Sequence, residues 1–317
     1  MKSKGDRQVT RLKRNGFIKE ILKNKVLYIM FLPVALWFIA FAYVPMGGIV
    51  IAFKDYNNAQ GILWSDWNGI DNFKYLFLSG KALLVTLNTL KYNIIFLTCY
   101  TIFSLLVALM LAEMTGKWFK KIAQSFTFLP YFVSWVVVSS FLYNFFNYEF
   151  GTVNTLLNSF GMEPVNIYSN VGYWYFILPF LYVWKWVGYG SVLYLSAIMG
   201  IDQECYEAAT IDGANSYQKI FRITLPLLKP TVIILVLLGV GRIMRGEFDM
   251  FYNLIGNNGP LMDGTDIIDT LVFRSLAGTQ DFGMASASGM YQSVLCFVII
   301  MVVNTIAKKI DADYALF

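Results

Sequence analysis

Residues 207–226 read EAATIDGANSYQKIFRITLP and lie between two long apolar stretches. Charged side chains at mid-bilayer cost about 2.5–3.5 kcal/mol each on insertion scales, so this segment does not cross a membrane. Its pattern predicts a short helix, a turn and a second helix. Ala208, Ala209, Gly213 and Ala214 are small, which lets such a helix lie close against another surface. Glu207 and Asp212 give it polar ends, and Ile223, Leu225 and Pro226 mark the return into apolar sequence. The segment reads as a contact element held outside the bilayer.

The flanking sequence belongs to a membrane. Hydrophobic residues make up 57% of the chain and charged ones 14%, against about 25% charge in an ordinary soluble domain. Apolar runs long enough to span, about 20 residues each, fall at roughly 26–52, 84–112, 124–145, 173–199, 231–255 and 284–307. Backbone groups in hydrocarbon must be satisfied internally, and these runs are too long and evenly apolar for barrel strands, so they predict helices. The expected fold is all-α, a polytopic bundle of six transmembrane helices. Residues 26–307 form this body, residues 1–25 a basic N-terminal segment, and residues 308–317 a short tail.

Orientation follows from Lys and Arg, which concentrate in short cytoplasmic loops. They crowd residues 2–25, 117–121, 219–229 and 308–309, whereas the alternate loops hold only Lys54, Lys74, Lys81 and Arg274. Both termini and the loop 200–229 are therefore expected in the cytoplasm. The basic start precedes an apolar run longer than a signal-peptide core and without a small-residue cleavage site, so it is expected to stay attached. Phe17, Ile18, Ile21 and Leu22 share one helical face, which suits either a helix at the inner interface or a solvated tail. The net charge of +5 needs no nucleic acid to explain it.

The spacing from EAA through Gly213 to the I-x-L-P of Ile223–Pro226 resembles, without a gap, the signature of permease subunits of binding-protein-dependent ABC importers. That resemblance implies that residues 207–214 with Ile223, Leu225 and Pro226 dock on a separate ATPase subunit and receive its motion. The segments LPVALWFIAFAYVPMGGIVIAFKDYN, WNGIDNFKYLF and FDMFYNLIGNNGPLMDGTDIIDTLVFR, with KKIDADYALF at the end, narrow it. They look like the carbohydrate-uptake permeases, in the branch named after the protein LplB. The resemblance implies a type I (MetI-like) importer fold in a bacterial cytoplasmic membrane. It also implies a second homologous permease chain, two ATPase subunits that hold ATP and Mg, and an extracellular lipoprotein that delivers oligosaccharide. That lipoprotein is expected to dock on the outer loops 53–83, 146–172 and 256–283.

Catalytic chemistry has no foothold here. The chain has no His, which excludes His-based triads and His metal sites. Cys99, Cys205 and Cys296 have no spacing suited to zinc or a redox pair, and no metal or cofactor site is expected. No phosphate-binding G-x-x-x-x-G-K-[ST] occurs, so ATP hydrolysis is assigned to another chain. A fused exporter half would need a nucleotide-binding domain after the last span, where only residues 311–317 follow.

Ionisable groups at bilayer depth mark a pathway or an internal pair. Lys91 lies near the outer end of its span, where it can snorkel, and receives no role. Arg242, Arg245, Asp249 and Asn253 recur at intervals of 3, 4 and 4, which at 100° per residue places them on a single polar stripe of the fifth span. Glu247 then points away, toward a neighbouring helix or subunit. The fourth span carries a comparable face of Tyr182, Lys185, Tyr189 and Ser196, flanked by Trp184 and Trp186. Tyr182, Trp184, Lys185, Tyr189, Arg242, Arg245, Asp249 and Asn253 are thus the candidate substrate pathway. Small residues in MASASG (284–289) point instead to close helix packing.

Two arginines exceed what a neutral sugar requires and suit an acidic saccharide such as a uronate or sialylated glycan. Pairing of Arg245 with Asp249 one turn on explains the same residues structurally. Two other functions fit the chain less well. A permease of this architecture for peptide, amino acid or phosphate differs only in cargo, whereas an ion-coupled secondary transporter predicts inverted repeats and leaves the 207–226 loop unexplained.

Overall fold

Apolar surroundings force each backbone N–H and C=O to find a partner within the protein, and the chain meets this demand with helices throughout. The computed structural model describes residues 23–310. The basic segment and its interfacial helix fall almost wholly in residues 1–22 and, with residues 311–317 of the tail, lie outside the described residues.

The first span, α1, runs Lys25–Phe53 with a π turn at Ile39–Tyr43 and a 3-10 end at Gly47–Phe53. A two-residue antiparallel ladder, β1 (Lys54–Asp55) with β2 (Asp66–Trp67), and the short helix α2 (Asp71–Leu78) follow. Then come α3 (Lys81–Glu113), α4 (Lys117–Phe128), α5 (Trp135–Phe146) and α6 (Thr152–Ser159). Next are α7 (Val171–Met199), α8 (Gln203–Ile211) and α9 (Ser216–Val240). The chain closes with α10 (Phe248–Leu254), α11 (Gly259–Thr265), α12 (Ile268–Ala277) and α13 (Phe282–Ile310).

The axis of the bundle is α3 against α7, which pack along much of their length. Their contact continues into a core of Tyr92, Phe96, Trp135, Trp174, Leu178 and Phe251, and a second core of Ala108, Leu111, Tyr194 and Leu228 nearer the 207–226 loop. Gly188 makes room for α4: a Cβ there would lie 2.2 Å from the Thr127 carbonyl oxygen. On α13 the small stretch packs closely as expected, with Ala285, Ala287 and Ser288 buried. Most of α1 is exposed, and it is held chiefly where its 3-10 end meets α13.

Two of the six expected spans are not continuous helices. Among the described residues, five helices are long and apolar enough to cross a membrane, and the third span is a pair, Lys117–Phe132 and Trp135–Phe146, bent by 91°. Pro130 cannot donate to the ladder, a 3-10 turn at Leu129–Phe132 ends the first arm, and Ser134 caps the second by accepting from Val137 N–H. The fifth span expected at 231–255 begins earlier, at Ser216, and stops at Val240. Residues 241–247 then form a turn and an irregular stretch before α10.

Both breaks are stitched by side chains from neighbouring helices. Lys185 of α7 is 7% exposed and donates to the carbonyl oxygens of Tyr131, at 3.1 Å, and Val133. Its ammonium also sits 5.3 Å from the centre of the Trp135 ring. The sequence placed Lys185 on the substrate pathway; its charge is instead spent on carbonyls that the bend strips of helical partners. At the second break, Asn93 of α3 donates to Ile243 O at 2.8 Å, and Gln292 of α13 donates to Met244 O at 2.7 Å. Cys296 reaches Gly241 O at 3.1 Å, and Asp269 accepts from Gly246 N–H at 2.7 Å.

Replacing Lys185 with Met keeps the stem and removes the donor from two half-buried carbonyls. Each costs about 1–3 kcal/mol, so the variant should show a clearly lower thermal midpoint in detergent, followed by tryptophan emission. An unchanged midpoint would show that the bend holds without the ammonium.

Candidate functional site

The 207–226 segment folds as its pattern suggests. Asp202 caps α8 by accepting from Glu204 N–H, and the helix ends at Gly213, whose φ of +79° only glycine adopts cheaply. Ala214 N–H bonds Ala209 O at 2.9 Å and Gly213 N–H bonds Thr210 O at 3.1 Å, which together make a Schellman motif. Two residues on, Asn215 and Gln218 form a reciprocal capping box that starts α9. Tyr206 OH with Thr224 Oγ1 (2.9 Å) and Lys219 Nζ donating to Thr210 Oγ1 (2.8 Å) fix the angle between the helices.

The outer face of this elbow stays free. Glu207, Ala208, Asp212 and Gly213 are exposed, Ala209, Ala214, Ile223 and Leu225 are half-buried, and Pro226 is exposed on the first turns of α9. Ile211 at 87%, Tyr217 at 76% and Phe221 at 65% exposure add apolar surface beside the charges. Such large side chains offered together mark a surface shaped for a partner.

The second candidate site lies at the other end of α9. The break at 241–247 opens a cavity of about 400 Å³ between α3, α7 and the broken segment. Tyr182 and Tyr189 of α7 line it with Arg242 and Arg245, so these four candidate residues are brought together. Phe96 stacks on Tyr182 with ring centres 4.4 Å apart, and Tyr131 stacks on Tyr189 at 5.4 Å. Neither guanidinium forms an ion pair or a side-chain hydrogen bond with a described residue; Asp269 acts on Arg245 only from longer range.

The remaining candidates are scattered. Asp249 is exposed on α10, and its pairing with Arg245 does not form because the helix that would align them is absent. Asn253 sits at the far end of α10 and donates to Asp249 O at 2.7 Å. Trp184 lies over an apolar groove between α5 and α7, away from the cavity. A single stripe of Arg242, Arg245, Asp249 and Asn253 is therefore not present, since it requires a continuous helix through residues 241–247.

The break also brings in residues that helical spacing sent elsewhere. Glu247, expected to face away, lines the cavity, and its carboxylate accepts from Trp135 Nε1 at 3.3 Å. The Trp186 indole N–H, buried, approaches the same carboxylate without reaching hydrogen-bond geometry. Asn93, Phe96 and Tyr100 of α3 complete the wall. Their signal was present in the sequence, as positions 93, 96 and 100 fall on one helical face. Aromatic faces beside hydroxyls, an amide, two cations and a carboxylate suit a polar ligand with both C–H faces and charge.

Known proteins agree with this architecture. Residues 104–312 match the family described as binding-protein-dependent transport system inner membrane component. The polygalacturonan/rhamnogalacturonan transport system permease protein YteP of Bacillus subtilis is 33% identical over 95% of this chain and 93% of its own. Protein LplB of the same organism is 33% identical over 94% and 93%. Among solved structures, a chain of a bacterial alginate ABC transporter in complex with its alginate pentasaccharide-bound periplasmic protein superposes with a TM-score of 0.83. It is 31% identical and covers 93% of this chain and 98% of its own. With its helical body, its exposed elbow and these relatives along nearly its whole length, the chain belongs to the inner-membrane permease components of binding-protein-dependent ABC transport systems.

Proposed function

We propose that this permease subunit imports an acidic oligosaccharide across the bacterial cytoplasmic membrane, with both termini and the α8–α9 elbow in the cytoplasm. The observation that carries the cargo is the pair Arg242 and Arg245, two guanidiniums that form no ion pair with a described residue, in a cavity walled by stacked tyrosines. A carboxylate-bearing sugar supplies what they lack: planar acceptors for guanidinium forks, and C–H faces for Tyr182 and Tyr189. The relatives support this reading, since one is named for polygalacturonan and rhamnogalacturonan and another transporter imports the acidic polysaccharide alginate.

The elbow supports the other half. Glu207, Ala208, Ala209, Asp212, Gly213 and Ala214 form the end and turn of an exposed helix, and Ile223, Leu225 and Pro226 begin the rod that reaches the cavity. In this proposal the elbow docks on one of two ATPase subunits, which hold ATP and Mg. A second, homologous permease chain completes the translocation path, and an extracellular lipoprotein delivers the cargo. ATP-driven movement of the elbow then tilts α9 and changes which side of the membrane the cavity faces.

Two experiments test these parts. In the reconstituted transporter, Arg242→Gln should lower uptake of a uronate oligosaccharide about tenfold, the loss of one charge-assisted bond, and leave its carboxyl-reduced neutral counterpart nearly unaffected. Equal uptake of the acidic sugar by both forms would make the arginines structural. At the elbow, Glu207→Lys should abolish co-purification of the ATPase while the chain still inserts. Gly213→Val, which forces a β-branched residue into a left-handed conformation at about 1–2 kcal/mol, should weaken co-purification less. Normal ATPase recovery in Glu207→Lys would remove the docking assignment.

A further inference from the structure

A second and larger cavity, about 750 Å³, lies beyond the far end of α10. It opens between the outer half of α5, the loops at 147–150 and 166–168, and the segment after α10. None of the eight pathway candidates except Asn253 touches it.

Four asparagines reach this space, and each is already fixed by one half of its amide. Asn147 Oδ1 accepts from Glu149 N–H (2.9 Å) and Phe150 N–H (3.2 Å), and Asn166 Oδ1 accepts from Tyr168 N–H (3.1 Å). Asn253 Nδ2 donates to Asp249 O (2.7 Å), and Asn258 Nδ2 donates to Tyr168 O (2.9 Å). The other halves bond no described residue. That leaves two NH₂ groups and two amide oxygens, oriented in advance and available.

Aromatic rings complete the lining. Tyr143 and Tyr168 lie 5.9 Å apart, and Tyr148 stands at the rim, 49% exposed. Burial, reinforced by Tyr143, pushes the Tyr168 hydroxyl up to about 12; like any phenol it is protonated at physiological pH and can donate a hydrogen bond. No Lys or Arg lines the cavity, and its one charged side chain is Glu149. Alternating donors and acceptors beside ring faces match vicinal hydroxyls and C–H faces, and the absence of a cation disfavours a carboxylate.

We propose that this cavity is an outer subsite for an uncharged sugar unit of the same oligosaccharide whose acidic unit meets Arg242 and Arg245. The inference rests on the oligosaccharide reading above. Glu247 opens α10 in the deep cavity and Asn253 ends it in the outer one, six residues or about 9 Å away along the helix. The two cavities therefore lie at opposite ends of one short helix, and in this proposal a saccharide long enough to reach both occupies both.

The test uses the complete transporter in nanodiscs with its binding protein and a ladder of saccharides of increasing length. Stimulated ATPase activity is titrated for the native chain and for the double variant Tyr148→Ala/Asn253→Ala. A subsite predicts that the half-saturating concentration rises about tenfold for the longest saccharides and stays unchanged for the shortest. An equal rise at every length assigns the surface to docking of the binding protein and overturns the proposal, as does no change at any length. If no saccharide stimulates the native transporter, the oligosaccharide reading itself fails.

Discussion

The structure depends on how non-helical backbone is satisfied inside a membrane protein. Two spans are broken, at residues 133–134 and 241–247, and every break exposes carbonyls that hydrocarbon cannot pair. The neighbours supply the missing groups. Lys185 answers the first break, and Asn93, Gln292, Cys296 and Asp269 answer the second. The same face of α3 continues the task outward. Asn88 donates to Asp263 O and Asp266 O, Tyr92 to Gly264 O, and Thr89 Oγ1 accepts from Ile268 N–H. The polar residues of α3 thus act as a template on which residues 241–268 are laid, and the cavity is the space left where that segment departs from helical form.

This division of labour separates the charges into two kinds. Lys185 has its donors committed to carbonyls and Arg274 is paired with Asp266, so both are held in structural roles. Arg242 and Arg245 lie on the break itself, where neither forms an ion pair with a described residue. Their freedom follows from local geometry, as does the inward turn of Glu247 toward Trp135.

The sequence made the helical body and the elbow legible because both rest on local signals: uninterrupted hydropathy for the spans, and the small residues with Gly213 for the elbow. The breaks were hidden by that same averaging. Residues 241–246, GRIMRG, place two glycines around two arginines, yet they sit in a run apolar enough to read as one helix. Assuming continuity placed Arg242, Arg245, Asp249 and Asn253 on one stripe and sent Glu247 to the far side, so one missed break accounts for both errors. Lys185 misled for a related reason. Its target carbonyls, 52 and 54 residues away in sequence, are orphaned only because a distant span bends.

The rod α9 joins the two ends of this molecule. Its 25 residues run without a gap from the capping box beside Gly213 to the last residue before the break, a length of about 37 Å. A tilt of about five degrees at one end displaces the other by about 3 Å, on the scale of a hydrogen bond. Because the chain turns immediately after Val240, such a swing moves Arg242 and Arg245 relative to Tyr182 and Tyr189 instead of being taken up along a longer helix. In the proposed coupling, the discontinuity at residue 241 is the far bearing of a lever.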